Sequence, residues 1–154
     1  MNVPASSLNT GSLKWVIIGG GIHGVHLAVR MIGEAGVPRE QIRIVDPEPT
    51  LLHSWHRCSA NTGMSYLRSP SVHHLDLEPF ALLNYADGKK GSRGSDLFTP
   101  PFNRPSVKLF AEHCDYVIQK YGLEQIHIQA AAEDISLSCE AVRVGLSHGE
   151  PLLA

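Results

Sequence analysis

The sequence predicts an α/β domain in which a parallel sheet is followed by a small antiparallel β-meander near the C-terminus. Two observations predict this fold class. Near the N-terminus, an apolar run rich in β-branched residues precedes a glycine run, a segment with helical spacing of apolar residues, and a second apolar run. Towards the C-terminus, short segments alternate apolar and polar residues, as strands with one exposed face do.

The first 46 residues predict a strand, a helix and a strand. Residues 13–18 are apolar and end at three glycines, as a buried parallel strand would. Residues 22–35 carry apolar side chains at helical spacing, and Gly36 and Pro38 then end the helix. Residues 41–45 predict the second strand. Such a unit places its two strands parallel, with a right-handed crossover.

The remaining residues predict fewer regular elements. Residues 47–105 are rich in Pro, Ser, Gly and His, and we expect in them a short helix at residues 78–85 and a solvated loop at residues 87–96. Residues 106–121 predict a helix that begins after Pro105. The strands predicted after this helix are residues 126–130, 135–139 and 142–146.

Composition limits the number of domains and the kinds of partner. The chain has 154 residues, of which 43% are hydrophobic, enough for one domain with a single core. We therefore divide it into a flexible leader at residues 1–12 and one domain at residues 13–154. The 13 basic and 15 acidic side chains give a formal net charge of -2, which disfavours nucleic acid as a partner.

The sequence also indicates where the protein is located. No apolar run approaches the roughly 20 residues that cross a bilayer, so we predict no membrane partner. Residues 1–12 lack the basic and apolar segments of a signal peptide. We therefore predict a cytoplasmic protein.

The strongest motif lies between the first predicted strand and the first predicted helix. It is the run Gly19-Gly20-Gly21-Ile22-His23-Gly24, which has the pattern G-x-G-x-x-G. An acidic residue, Asp46, closes the second predicted strand, roughly 20 residues further on. The preceding strand, the following helix and this acidic residue are the context of a Rossmann-like dinucleotide-binding site.

Each glycine of the motif has a physical role. Gly19 permits the tight turn, Gly21 leaves room for a diphosphate against the backbone, and Gly24 lets the helix pack closely on the strand. Ile22 and His23 begin the helix, whose free N–H groups and partial positive charge favour a diphosphate.

The end of the second strand indicates which dinucleotide is bound. Asp46, followed by Pro47, is positioned to accept hydrogen bonds from the hydroxyls of an adenosine ribose. A carboxylate there disfavours a 2′-phosphate, so the motif suits FAD or NAD better than NADP. The competing interpretation of the motif is a glycine-rich turn without a ligand.

Beyond the second strand, several short runs resemble the flavin-dependent N-monooxygenases, which are the lysine and ornithine N-hydroxylases of siderophore biosynthesis and their relatives. The runs are Trp55-His56, Gly63-Met64, Leu67-Arg68-Ser69-Pro70, His73-His74-Leu75-Asp76, Pro79-Phe80, Leu83-Asn84-Tyr85 and Asn103-Arg104-Pro105-Ser106 leading into Phe110-Ala111-Glu112-His113-Cys114. The resemblance covers most of residues 14–148.

The resemblance implies an FAD-dependent monooxygenase acting on a small-molecule substrate. In that family NADPH reduces the flavin and O2 supplies the oxygen atom, while the protein orients the cofactor and excludes water. By position in the matching runs, Trp55, His56, Met64 and Arg68 would lie near the flavin. We assign no catalytic residue from the sequence.

The sequence departs from this family in two respects. Where the family commonly has Gln followed by Lys-Asp, residues 69–76 are Ser-Pro-Ser-Val-His-His-Leu-Asp, which disfavours lysine or ornithine as the substrate. The NADPH-binding segment and the late Ala-Thr-Gly-like strand of the family are also absent. We therefore expect an FAD-binding domain that is incomplete at its C-terminus, as part of a longer flavoprotein.

A second interpretation is a stand-alone dinucleotide-binding module that binds NAD or ADP-ribose without catalysis. This interpretation explains the glycine motif, but it leaves the segment from Trp55 to Tyr85 without a role.

Histidine and cysteine suggest further sites, which the spacing disfavours. His53, His56, His73, His74 and Asp76 match no established metal-ligand spacing, so we predict no metal site.

The three cysteines do not predict redox chemistry. Cys58 is the one cysteine near the proposed flavin, which disfavours a flavin–disulfide reductase. We expect Cys114 and Cys139 to be buried on the apolar faces of a helix and a strand, and His113 to lie at the surface.

Overall fold

A computed structural model describes residues 13–89, 97–139 and 141–154. The predicted leader and residues 90–96 of the predicted loop lie outside these ranges. In chain order, the helices and strands of the described residues are β1 (Trp15–Ile18), α1 (Ile22–Gly33), β2 (Ile42–Asp46), α2 (His53–Thr62), α3 (Ala81–Lys89), β3 (Phe98–Thr99), β4 (Arg104–Pro105), α4 (Val107–Tyr121), β5 (His127–Gln129), β6 (Ala132–Leu137), β7 (Val142–Leu146) and β8 (Leu152–Leu153).

A parallel sheet forms the centre of the fold, with its strands in the order β1-β2-β5. Ile17 of β1 lies opposite Ile44 of β2, and Val45 lies opposite Ile128 of β5. Because α1 connects the parallel strands β1 and β2, the strand–helix–strand prediction is confirmed.

An antiparallel meander follows the parallel sheet. β7 pairs with β6 on one side and with β8 on the other. Val45 and Ala130 pack with Val144 and Leu152 in a small apolar cluster that joins the two sheets. A parallel sheet with an antiparallel meander is the predicted fold class, which the structure confirms.

The main core is formed by α1, α4 and β2. α1 buries residues three and four positions apart, as the spacing of its apolar residues predicts. α4 begins at Ser106, whose side chain accepts a hydrogen bond from the N–H of Leu109, and it ends at Gly122 in the left-handed region. The buried apolar residues that these three elements contribute to this core are Val25, Ala28, Val29, Ile42, Ile44, Leu109, Phe110, Cys114, Val117 and Ile118.

α2 was not expected from the sequence. None of its ten residues is buried, so it has no apolar stripe from which a helix could be predicted. Leu51 and Leu52, just before it, are buried in the core, and Gly63 ends it in the left-handed region. The core contacts of the preceding turn therefore position α2.

Two expectations about burial were wrong. Cys139 is exposed because β6 ends at Leu137, which leaves Cys139 beyond the strand in which it was predicted. His113 is fully buried because it lies four residues from both Leu109 and Val117, on the inner face of α4.

The ring of His113 lies among other aromatic and imidazole rings. Its centroid is 5.3 Å from that of His74 and 5.3 Å from that of Tyr85. Neither ring nitrogen of His113 has a hydrogen-bond partner among the described residues. Burial, with a smaller contribution from His74, lowers the pKa of His113 to about 4, so that the ring is neutral at pH 7.

A salt bridge between the buried Asp76 and the partly exposed Lys120 connects the segment before α3 to the end of α4. The carboxylate of Asp76 accepts hydrogen bonds from Lys120 Nζ at 2.9 Å, from the Tyr121 hydroxyl at 2.9 Å and from the N–H of Leu77 at 2.9 Å. Burial by itself raises the pKa of Asp76, but these hydrogen bonds lower it by more. The pKa therefore lies below its ordinary value, and the charged form stabilises the fold.

We expect Lys120→Met to lower the free energy of unfolding by about 1 to 2 kcal/mol, because the buried carboxylate loses its counter-ion and keeps only the hydrogen bonds from Tyr121 and Leu77. The side chain of Asp76 is only 3% exposed. Urea unfolding at pH 7 measures the effect. The difference from wild type should shrink as the pH falls below roughly 4, where the unfolded carboxylate becomes protonated.

Arg143→Met is the matched control for this substitution. Arg143 pairs with Asp134 at 3.1 Å, but both side chains are about half exposed. Loss of such a surface pair should cost no more than about 0.5 kcal/mol. Equal losses in the two variants would contradict the stabilising role of the Asp76 pair.

We expect His113→Phe to weaken the pH dependence of stability. The unfolded histidine takes up a proton near roughly pH 6.5, whereas the folded one does so only at about pH 4. Protonation therefore favours the unfolded state between these values, and wild type loses stability as the pH falls. Between pH 7 and pH 4.5, the free energy of unfolding should fall by about 2 kcal/mol less in the variant than in wild type, as measured by urea unfolding. The same pH profile in both proteins would refute this account.

Candidate cofactor site

The turn of residues 19–21, here called the glycine turn, is tied to the end of β2. Gly19 has a φ of +107°, a conformation that favours glycine. Its N–H donates to the carbonyl of Val45 at 2.8 Å, and the N–H of Gly20 donates to Asp46 Oδ2 at 2.6 Å. The turn therefore lies at the carboxyl end of the parallel strands, where ligands bind in open α/β sheets.

The glycines of the motif differ in the space around them. A Cβ on Gly21 would meet no atom within 4 Å, so open space lies beside this residue. A Cβ on Gly24 would overlap the carbonyl oxygen of Gly19, so the close approach of α1 to the turn requires glycine there. Gly20, which the motif leaves unspecified, is also restricted, because its Cβ would lie 2.9 Å from Leu51 Cδ2.

The N-terminus of α1 is open to a ligand. Gly21 is its N-cap, no side chain caps the helix, and no acidic residue lies in its first turn. The first N–H groups of an α-helix have no partner within the helix, and the helix dipole gives this end a partial positive charge. With the open space at Gly21, the N-terminus fits a diphosphate.

Asp46 is half-buried, and its carboxylate holds two backbone segments. Oδ2 accepts the hydrogen bond from Gly20, and Oδ1 accepts one from the N–H of Glu48 at 2.9 Å. Each carboxylate oxygen has a second lone pair, so the position is compatible with the predicted ribose contact. Pro47, next along the chain, is exposed.

A cavity of about 430 Å³ opens beside the first turn of α1, and we call it the α1–α2 cavity. It brings together five of the residues assigned from the sequence: Ile22, His23, Trp55, Met64 and Arg68. The other residues that line it are His26, Leu67, Ser69, His73, His74, Leu75 and Phe110. The ring centroids of Trp55 and Phe110 are 5.2 Å apart, so these two aromatic residues form one packed wall.

His56 was assigned to the same region but lies apart from this cavity. It lines a second cavity, of about 390 Å³, together with Leu51 and residues of α4 such as Asp115 and Ile118. Its ring contacts the edge of the Trp55 ring, with 5.0 Å between centroids. The structure therefore places His56 behind Trp55 rather than beside it in the α1–α2 cavity.

Seven of the lining residues were not assigned to the site from the sequence, among them His26, His74 and Phe110. His26 follows His23 by three positions, a spacing that puts both on one face of α1, so the pattern contained this signal. His74 and Phe110 come from segments that are distant in sequence, and only the tertiary fold brings them to the cavity.

The polar lining of the α1–α2 cavity consists of hydrogen-bond donors and imidazoles. Arg68 supplies a permanent positive charge, and no Asp or Glu side chain lies among the lining residues. Apolar side chains form most of the remaining wall. Such a lining suits a flat apolar ligand that bears acceptor or anionic groups.

Among the described residues there is neither a cluster of metal ligands nor a candidate membrane-spanning helix. In residues 13–89, 97–139 and 141–154, no three His, Cys, Asp or Glu side chains converge as a metal site would require. No helix within those ranges has the length and apolar character to cross a membrane. The cytoplasmic location, the partner classes and the domain boundaries stay predictions.

Solved structures match the fold, although no family model and no curated protein matches the sequence. The flavin-containing monooxygenase from Stenotrophomonas maltophilia is 18% identical over 92% of this chain, with a TM-score of 0.55. OTEMO, solved in complex with FAD and NADP, is 15% identical over 92% of the chain, with a TM-score of 0.51. The bacillithiol disulfide reductase Bdr from Staphylococcus aureus is 11% identical over 92% of the chain, with a TM-score of 0.55.

The chain spans about a third or less of each of these proteins: 36% of the Stenotrophomonas enzyme, 24% of OTEMO and 35% of Bdr. The matches concern the fold, and they include monooxygenases and a reductase without favouring the N-hydroxylases. This chain therefore shares its α/β fold with part of each of these flavin monooxygenases and of the disulfide reductase.

Proposed function

We propose that this chain is the FAD-binding part of a flavin-dependent oxidoreductase of the monooxygenase kind, which uses NAD(P)H and O2 to hydroxylate a small molecule. The proposal depends on one observation. Ile22 and His23 belong both to the uncapped first turn of α1 and to the lining of the α1–α2 cavity. A dinucleotide bound at the helix N-terminus would therefore extend into this cavity.

Each part of FAD has a matching group in the chain. The diphosphate would lie against Gly21 at the first turn of α1, and Asp46 would accept hydrogen bonds from the adenosine ribose. Trp55 and Met64 would border the ring system, and Arg68 would donate hydrogen bonds to its acceptor atoms. The flavin supplies electron transfer and oxygen activation when bound, and the chain binds it, orients it and shields it from water.

The cysteines favour a monooxygenase over a disulfide reductase. Cys58 is exposed on α2, and no cysteine lies among the residues that line the α1–α2 cavity. A thiol that exchanges electrons with a flavin must reach it. Oxygen transfer to a substrate, which needs no protein thiol, is therefore the better-supported reaction class.

The substrate class follows from the resemblance to N-monooxygenases, with one restriction. That resemblance favours a nucleophilic nitrogen as the acceptor of oxygen. Residues 69–76, however, lack the Gln and Lys-Asp run that this family commonly has there. We therefore propose a nitrogen-containing small molecule other than lysine or ornithine.

A stand-alone module for NAD or ADP-ribose is the second candidate. Residues 19–46 alone form the positions proposed for the diphosphate and the ribose, and NAD and ADP-ribose both contain these groups. Binding of either ligand would therefore not require the α1–α2 cavity. The two candidates differ in ligand. Flavin absorbance of the purified chain, and fluorescence titration with FAD, would support the first. Binding of NAD or ADP-ribose without binding of FAD would support the second.

We expect Gly21→Val to abolish FAD binding while leaving the fold intact. The backbone at Gly21 is in the extended region and a Cβ there meets open space, so valine fits the protein but occupies the position of the diphosphate. Flavin fluorescence titration should show at least a hundredfold loss of affinity, equal to about 2.7 kcal/mol. The melting temperature should fall only slightly, by the cost of a less favourable N-cap residue.

Two further variants control this experiment. Gly24→Val should lower the melting temperature, because its side chain overlaps the Gly19 carbonyl. Gly88→Val, on α3, also has open space around its Cβ and should leave both stability and FAD binding unchanged. Wild-type FAD affinity in Gly21→Val would rule out this position for the diphosphate.

A further inference from the structure

Two imidazoles of the α1–α2 cavity are fixed by backbone carbonyl groups. His26 Nδ1 lies 3.2 Å from the carbonyl oxygen of Leu75, and His74 Nε2 lies 3.2 Å from that of Pro79. A carbonyl oxygen can only accept a hydrogen bond, so each of these nitrogens carries the hydrogen. In a neutral imidazole the other nitrogen is then an acceptor.

The two acceptor nitrogens have different surroundings. His74 Nδ1 is enclosed, and its ring packs on His113, so this acceptor faces the protein interior. His26 Nε2 has no hydrogen-bond partner among the described residues, and it is not enclosed. Because His26 lines the cavity, its Nε2 is an acceptor that a ligand can reach.

The other polar side chains that surround His26 offer no such fixed acceptor. Arg68 can only donate. His23 and His73 have no hydrogen bond among the described residues that would fix one tautomer, and Ser69 carries a hydroxyl that both donates and accepts. These residues and His74 are the titratable, charged or hydroxyl groups that line the cavity with His26.

We propose that His26 binds the flavin–ribityl half of FAD by accepting a hydrogen bond on Nε2 from an N–H or hydroxyl group. The inference rests on the proposed function. His26 lies one helical turn beyond the residues at the diphosphate position, on the cavity side, where the half of FAD beyond the diphosphate would extend.

The test measures FAD affinity at pH 8 by flavin fluorescence titration. His26→Phe should bind about tenfold more weakly than wild type, the effect of one lost hydrogen bond. His26→Gln supplies an acceptor oxygen and should keep most of the affinity. His148→Phe, at an exposed position after β7, should behave as wild type.

Binding of ADP-ribose distinguishes a contact between His26 and the flavin–ribityl half of FAD from an effect of the substitution on the N-terminus of α1. ADP-ribose lacks the flavin–ribityl half, so His26→Phe should bind it with wild-type affinity. An equal loss for FAD and ADP-ribose would overturn the proposal, since the effect would then act through the helix N-terminus. Wild-type FAD affinity in His26→Phe would also overturn it, without affecting the proposed function.

Nitrogen-15 NMR of the histidine side chains tests the tautomer without any ligand. At pH 8, His26 should show a protonated Nδ1 and an unprotonated Nε2, with the signals assigned by their loss in His26→Gln. A protonated Nε2 would overturn the inference. If wild type binds ADP-ribose but not FAD, the proposed function fails as well. The three outcomes described above overturn only the inference about His26 and leave the proposed function standing.

Discussion

The carboxylate of Asp46 joins the segments on which the candidate site depends. One oxygen holds the N–H of Gly20 in the glycine turn, and the other holds the N–H of Glu48 in the turn after β2. The carbonyl of Gly20 then accepts the N–H of Leu52, at which α2 begins. A single side chain at the end of β2 thus fixes the turn before α1 and the turn before α2. The hydrogen bonds of Asp46 therefore help to position both α1 and α2, the two helices that border the α1–α2 cavity.

The two parts of the candidate site are built differently. The diphosphate position is local, since Gly21 and the first turn of α1 follow β1 directly and Asp46 ends the next strand. The cavity is assembled from α1, α2, the segment of residues 64–75 and Phe110 of α4. A local glycine turn can hold any dinucleotide, so the choice between flavin and nicotinamide is made by the cavity. This division explains why one short motif leaves two functions open.

The same difference explains what could be predicted from the sequence. α1, β2, α4 and β7 have apolar periodicity or clear end signals, and the structure places them within two residues of their predicted bounds. α2 has no buried residue, so its position depends on the core contacts of Leu51 and Leu52, which no local pattern encodes. Similarly, Gly21 and Asp46 could be found from spacing, whereas His74 and Phe110 reach the cavity only through tertiary contacts.

Residues 73–76 connect the stability of the core to the chemistry of the cavity. The carboxylate of Asp76 fixes this segment to Lys120 and Tyr121 at the end of α4. The carbonyl of the preceding residue, Leu75, determines which nitrogen of His26 carries the hydrogen. The buried carboxylate of Asp76 therefore holds the segment that sets the tautomer of a cavity histidine. Because Lys120, Tyr121 and the N–H of Leu77 all donate to this carboxylate, it can keep the carbonyl of Leu75 in place while the cavity fills and empties.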